Sequence, residues 1–161
     1  MAVKVRTNKD PRVFQGDIIR DVEYVEYVSE KSGYIEVSKI VFPLVIVLTQ
    51  DCDLSQDYKF QWSKAKTSTK DKLLLSVLAA PLYNVNHVYT GEHLSDLGMK
   101  MRTFNATATE GRNLRNNETP RYHYLDFDAS VSIVPSVIDF KHYFSVNTIY
   151  LKKIKENEFY L

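Results

Sequence analysis

Phe42-Pro43-Leu44-Val45-Ile46-Val47-Leu48-Thr49-Gln50-Asp51-Cys52-Asp53 is the stretch on which the fold turns. Five apolar residues in succession, Leu44 to Leu48, have the length and composition of a strand buried on both faces. They stop at side chains that accept hydrogen bonds, donate them or attract a cation. Functional groups often sit where a buried strand leaves the core. Cys52, the only cysteine, lies inside that cluster.

Outward from this strand the chain is rich in strand formers. Eleven Tyr and eight Phe against five Gly suit pleated, half-buried surfaces. Gly16-Asp17 opens a strand over Ile18 to Val28, in which the apolar phase changes between Tyr24 and Val25, the mark of a β-bulge. Ser29 to Gly33 reads as a hairpin turn and Tyr34 to Val41 as the returning strand, interrupted by Pro43. Leu44 to Thr49 is then a central strand and Asp51 to Asp57 a polar loop. Tyr58 to Trp62 fits a short strand or a helical turn, and Lys64 to Lys72 a basic loop. Leu73 to Ala80 is a buried strand ended by Pro81. Thr90 caps a helix to about Thr103, and residues 105–119 form a polar stretch with a second short helix. Arg121 to Phe127, Val131 to Val134 and Val137 to Phe144 are further strands, and Ser145 to Leu151 closes the sheet.

With 161 residues, 25% charged and 44% hydrophobic, the chain is expected to fold as one soluble domain. The core would run over about 14–82 and 120–151, with a helical and polar insertion at about 90–119. No apolar run nears the roughly 18 residues that cross a bilayer. The first residues, Met1-Ala2-Val3-Lys4-Val5-Arg6, lack the apolar centre of a leader peptide, and one cysteine makes no internal disulfide. A cytoplasmic protein without membrane contact is the expectation. Charges are segregated: residues 16–58 hold nine acids and three bases, and residues 99–121 hold five bases and two acids. Such runs are usually solvated faces, and a basic one also suits phosphate.

The order Gly16-Asp17-Ile18-Ile19, hairpin, Pro43-Leu44-Val45-Ile46-Val47-Leu48-Thr49-Gln50-Asp51, then Leu73 to Ala80, resembles the PemK/MazF-like proteins of bacterial toxin–antitoxin systems. The likeness covers about residues 14–82. It implies a mainly β fold: a small, strongly bent SH3-like barrel, here with an inserted helical segment, often dimeric. Many members of that family cleave single-stranded RNA without a metal, using an Arg before the Pro of one strand and a Thr or Ser at the end of the next. This chain has Phe42 and Ala79-Ala80-Pro81 at those places. Phenylalanine cannot stabilise developing phosphorane charge, and alanine or proline offers no hydroxyl, so the usual ribonuclease site is missing. The resemblance therefore implies a binding or regulatory module of a conflict or toxin–antitoxin system. The alternatives are a metal-independent endoribonuclease with relocated residues and a protein-binding subunit that uses its acidic strand face.

Three constellations carry chemistry. Cys52 with His123 or His142, oriented by Asp139, has the parts of a thiol nucleophile, although Asp51 and Asp53 beside Cys52 oppose thiolate formation. Asp51, Asp53 and Asp57 offer oxygens for a hard cation but lack the EF-hand spacing, and no Cys–His spacing suits zinc, so no metal or cofactor is expected. Arg112, Arg115 and Arg121 with Asn113, Asn116, Asn117 and Tyr122 have the donors and the ring of a nucleic-acid surface. The expected ligand-binding set is Thr49, Gln50, Asp51, Asp53 and Arg121, with Arg121, His123 and Cys52 as candidate catalytic groups. Arg121 would contact phosphate or carboxylate, or pair with Asp51 or Asp53. His87 is expected on a loop and His93 on a helix surface. Expected partners are a protein, a second copy of the chain, or single-stranded RNA.

Overall fold

The computed structural model describes residues 3–5, 10–62 and 69–157. It is mainly β, with six strands whose pairings are all antiparallel. The chain divides into two compact units, one of residues 1–6 and 80–143, the other of residues 7–79 and 144–161.

The second unit is built on a hairpin of β1 (Ile18–Lys31) and β2 (Tyr34–Val47). Its turn is two residues, Ser32 and Gly33, both at positive φ, the geometry that matches the twist of the flanking strands. The bulge falls between Val25 and Tyr27, close to where the apolar phase changes in the sequence. Pro43 does not interrupt the ladder. It lies opposite Asp21, which is in the left-handed region at φ 51°, and pairing resumes at once on both sides. The expected third strand is therefore the second half of β2.

The segment from Asp51 is helical. The expected polar loop is instead α1 (Asp51–Trp62). The Gln50 carbonyl accepts from the amides of Asp53 and Leu54, and Asp51 and Asp53 sit in the first turn, where acids favour the helix dipole. The inward positions are Leu54 and Asp57, so hydropathy alone shows no helical period. The expected loop over Lys64–Lys72 lies outside the described residues at 63–68. Strand β3 (Ser76–Asn84) follows, and its Ser76–Ala79 half pairs with β6 (Phe144–Asn147). Asn147 then caps α4 (Thr148–Asn157) by accepting from the amides of Ile149 and Tyr150, so the strand expected over Ser145 to Leu151 runs only as far as Asn147 and is helix beyond it. Ile19, Val22, Phe42, Val45, Val47, Leu54, Val77, Phe144, Val146 and Leu151 form the core, with Tyr24, Phe42 and Phe144 in ring contact.

In the first unit, the Leu82–Asn84 half of β3 pairs with β5 (Ser136–Asp139), which pairs with β4 (Tyr122–Leu125). Pro81 does not end β3. It lies between the two paired halves, where its missing N–H costs no ladder bond. Asn84 caps α2 (Val85–Thr90), so Thr90 ends a helix instead of starting one. A 3-10 turn, Ser95–Leu97, replaces the expected long helix, and α3 (Thr109–Arg115) is the expected short one. Val131 to Val134 is not a strand. Val85, Val88, Leu114, Tyr122 and Val137 form this unit's core.

Among the described residues, no pairing in either unit closes the strands into a ring. The closed barrel expected from the sequence is thus replaced by an open antiparallel arrangement. No helix of the described residues is long and apolar enough to cross a membrane.

Candidate functional site

The residues expected to form one site belong to different units. Thr49, Gln50, Asp51, Cys52 and Asp53 are in the unit of residues 7–79 and 144–161, and Arg121 and His123 are in the other.

In the first group, the motif side chains hold the fold. Thr49 Oγ1 accepts from the Leu78 amide at 2.7 Å, fixing the exit of β2 against β3. Asp51 accepts from Arg12 Nη2 at 2.8 and 2.9 Å, so it is this arginine, and not Arg121, that pairs with the loop. Arg12 also lies over the Phe14 ring at 3.8 Å. Asp17 of the Gly-Asp pair accepts from Lys155 Nζ at 2.7 Å and from the Phe14 amide at 2.9 Å. Thr49 Oγ1 and the Asp51 carboxylate are thus engaged from within the chain, whereas the Gln50 side chain is exposed. Cys52 and Asp53 are exposed on α1, and the Cys52 sulfur lies near Gln50 Oε1 and Asp53 Oδ1. Among the described residues no three His, Cys, Asp or Glu gather as metal ligands.

In the other unit, Arg121 stands at the start of β4 and Asp139 ends β5, which the register brings side by side. Arg121 Nε and Nη2 reach the two Asp139 oxygens at 2.8 and 2.5 Å. His93 Nε2 approaches the same carboxylate at 3.3 Å, and the Lys141 amide donates to it at 3.0 Å. Asp139 is wholly buried. Burial pushes its carboxyl up, but the bonds from His93, Arg121 and Lys141 and the Arg121 charge outweigh that and hold it well below the usual carboxylate range. The hydrogen bond to Asp139 likewise raises Arg121. His93 is buried, not on a helix surface, and among the described residues its Nδ1 has no hydrogen-bond partner. The His93 ring makes edge-on contacts with the rings of Tyr83 and Tyr122.

The Tyr83 hydroxyl meets His142 Nδ1. Burial raises the Tyr83 phenol, and the charges of Asp139 and Asp96 add to it. Burial lowers His142, with His93 adding to the effect and Asp139 opposing it. The pair is thus a phenol donating to a neutral imidazole, and neither group is activated as a nucleophile. Asp139 orients His93, not the His123 or His142 expected from the sequence. Sequence gave no signal for His93, since a lone histidine beside Leu94 carries no spacing to read.

His123 points elsewhere. It lines an open cleft of about 440 Å³ with Val3, Arg115, Asn116, Asn117, Tyr124, Leu125 and Asp126. Arg115 Nη1 donates to the Ala106 carbonyl at 2.8 Å and to the Tyr89 hydroxyl at 3.1 Å. Among the described residues its Nε and Nη2 make no hydrogen bond. Asn117 sits at φ 59° and clamps β4, accepting from the Tyr124 amide and donating to the Tyr124 carbonyl. Its amide therefore shapes the cleft wall and is not available to read a base. Tyr122 is buried and offers no stacking face to a ligand, whereas Tyr124 and His123 are half-buried at the cleft. Burial raises the Tyr124 phenol, with Asp126 and Tyr89 adding and Arg115 opposing, so its hydroxyl remains a donor.

No family model, no curated protein and no solved structure matches this chain.

Proposed function

We propose that this chain is a binding or regulatory module of a bacterial conflict or toxin–antitoxin system, and that it engages single-stranded RNA through the cleft of Arg115, His123 and Tyr124. The observation that carries the reading is the cleft itself. It sets a guanidinium with donors to spare beside two half-buried rings and the Asp126 carboxylate. Guanidinium suits phosphate, rings stack on unpaired bases, and a carboxylate accepts from an exocyclic amine. Kinship with PemK/MazF-like proteins, and an SH3-like strand arrangement, is supported by the order Gly16-Asp17, hairpin, apolar strand.

A module is favoured over the ribonuclease because Arg121 is committed to Asp139 through both its Nε and Nη2. One observation keeps the enzyme as a second reading: His123, an imidazole able to move a proton, shares the cleft with Arg115.

The test is a gel assay of purified protein with a mixed single-stranded RNA pool in EDTA, at low and moderate salt. Retardation without cleavage that weakens with salt, and is lost in Arg115→Ala, supports the module. Cleavage abolished by His123→Ala supports the ribonuclease. No retardation at low salt discards RNA as the ligand.

A further inference from the structure

The solvent side of the β1–β2 hairpin is apolar where a soluble sheet is normally polar. Register pairs Val25 with Lys39 and Val28 with Val37, and sets Glu30 against Ile35 and Glu23 against Val41. Side chains directly opposite share a face, and so do those two apart along a strand. Val25, Val28, Ile35, Val37 and Val41 therefore lie on one side, and they are 48–73% exposed. The other side carries Val22, Tyr24, Ile40 and Phe42 into the core. The bulge at Glu26 keeps Val25 and Val28 in phase although they are three residues apart.

The charges on this side are arranged about the stripe. Lys39 lies toward the base, bound to Glu23 at 2.8 Å, and Glu30 lies toward the tip. The cross-strand pair Val28–Val37 is midway between the pair Val25–Lys39 and the pair Glu30–Ile35. A two-fold axis through Val28–Val37 would lay the Glu30–Ile35 pair of one hairpin over the Val25–Lys39 pair of another. Val28 then meets Val28 and Val37 meets Val37 across the contact, Glu30 lies over Val25 and Ile35 over Lys39, and each Glu30 is one strand away from the Lys39 of the other chain, diagonally within reach, twice over. Parallel stacking would instead set Glu30 diagonal to Glu30 and Lys39 diagonal to Lys39.

We propose that this side of the hairpin docks on the same side of a second copy of the chain, antiparallel about Val28 and Val37. The contact is isologous, so it closes as a dimer. Five aliphatic side chains are few beside the roughly 20–30 residues a side of a standard stable interface, so the dimer is weak and depends on concentration.

The test is sedimentation equilibrium of the wild type and three variants over a range from about 1 µM to about 500 µM, with circular dichroism to confirm that each folds. The wild type is expected to pass from monomer to dimer within that range, and the double variant Val28→Lys/Val37→Lys to stay monomeric. Glu30→Lys and Lys39→Glu each place like charges at both ends of the contact and should weaken association at least tenfold. An equimolar mixture of those two restores opposite charges at both ends, and should dimerise where neither does alone. A wild type that stays monomeric throughout, or a double variant that still dimerises, overturns the proposal. Failure of the mixture to associate overturns the antiparallel arrangement on which it stands.

Discussion

Arg121 Nε and Nη2 grip the two oxygens of Asp139 at 2.8 and 2.5 Å, and the carboxylate so held is wholly buried. Removing one partner of a buried pair leaves a charge without compensation, which costs far more than the pair contributes in net stability. Arg121→Ala should destabilise the protein by about 3 kcal/mol, because His93 and the Lys141 amide alone remain on Asp139. Arg121→Lys should recover only part of this, since an ammonium cannot make the two-pronged contact. Urea unfolding of the two variants checks both.

Acid should unfold the protein in two stages. The folded state holds His142 below its ordinary value, so as pH drops below about 6.5 the unfolded chain binds that proton first and stability falls. Asp139 is also held low. Its contribution is fully present above about pH 4 and is lost as pH falls further toward its folded value. Stability measured from pH 8 to pH 3 should lose the upper slope in His142→Gln and the lower one in Asp139→Asn. In nuclear magnetic resonance titration, Tyr83→Phe should move the His142 midpoint upward, because the phenol's hydrogen bond favours the neutral ring.

The strands were legible where apolar residues alternate or run together. Ile18 to Val28 lies in β1 and Tyr34 to Val41 in β2, Leu44 to Thr49 continues β2 as far as Val47, Leu73 to Ala80 meets β3 from Ser76 on, and the hairpin was visible from Gly33. Segments whose buried positions are polar were not. Asp57 and Lys155 occupy inward positions of α1 and α4, where periodicity expects aliphatics. Of the arginine and asparagine constellation read in the sequence, Arg115, Asn116 and Asn117 share a cleft, and His123, read there with Cys52 and Arg121, lines the same cleft. Arg121 was misassigned because its partner, Asp139, is eighteen positions away and only the β4–β5 register brings the two together.

Gly111 and Gly33 should respond to alanine for opposite reasons. Alanine in a helix is normally better than glycine by about 1 kcal/mol. On Gly111 of α3, however, a Cβ would stand 2.5 Å from the Ala106 carbonyl oxygen and 2.6 Å from its Cα, both rigid backbone. Gly111→Ala should therefore destabilise by about 1–3 kcal/mol as an overpacked site. It should also disturb the cleft, because Arg115 donates to that same Ala106 carbonyl. At Gly33 nothing lies within 4 Å, and the cost comes from its φ of 81° alone. Gly33→Ala should cost about 1–2 kcal/mol at most, and leave RNA retardation unchanged. Thermal unfolding and the gel assay separate the two.

Asp57 ties α1 to the segment before β3 and to α4. Its carboxylate, 2% exposed, accepts from Gln61 Nε2 at 2.9 and 3.0 Å, from the Leu74 amide at 2.9 Å and from Lys152 Nζ at 2.9 Å. Asp57→Ala leaves the Leu74 amide and the Lys152 ammonium without this acceptor. It should cost about 3–5 kcal/mol, as breaking a buried pair from one side does. Lys152→Met removes only the charged partner and keeps the apolar stem that packs along α4, so it should cost less. Asp57→Asn keeps an acceptor for the amide without a charge for the lysine. The double variant Asp57→Asn/Lys152→Met removes both charges together. It should lose at least 1 kcal/mol less than the sum of the two single losses, the signature of a coupled pair. Additive losses in urea unfolding would show that Gln61 and the Leu74 amide hold the carboxylate without help from the lysine.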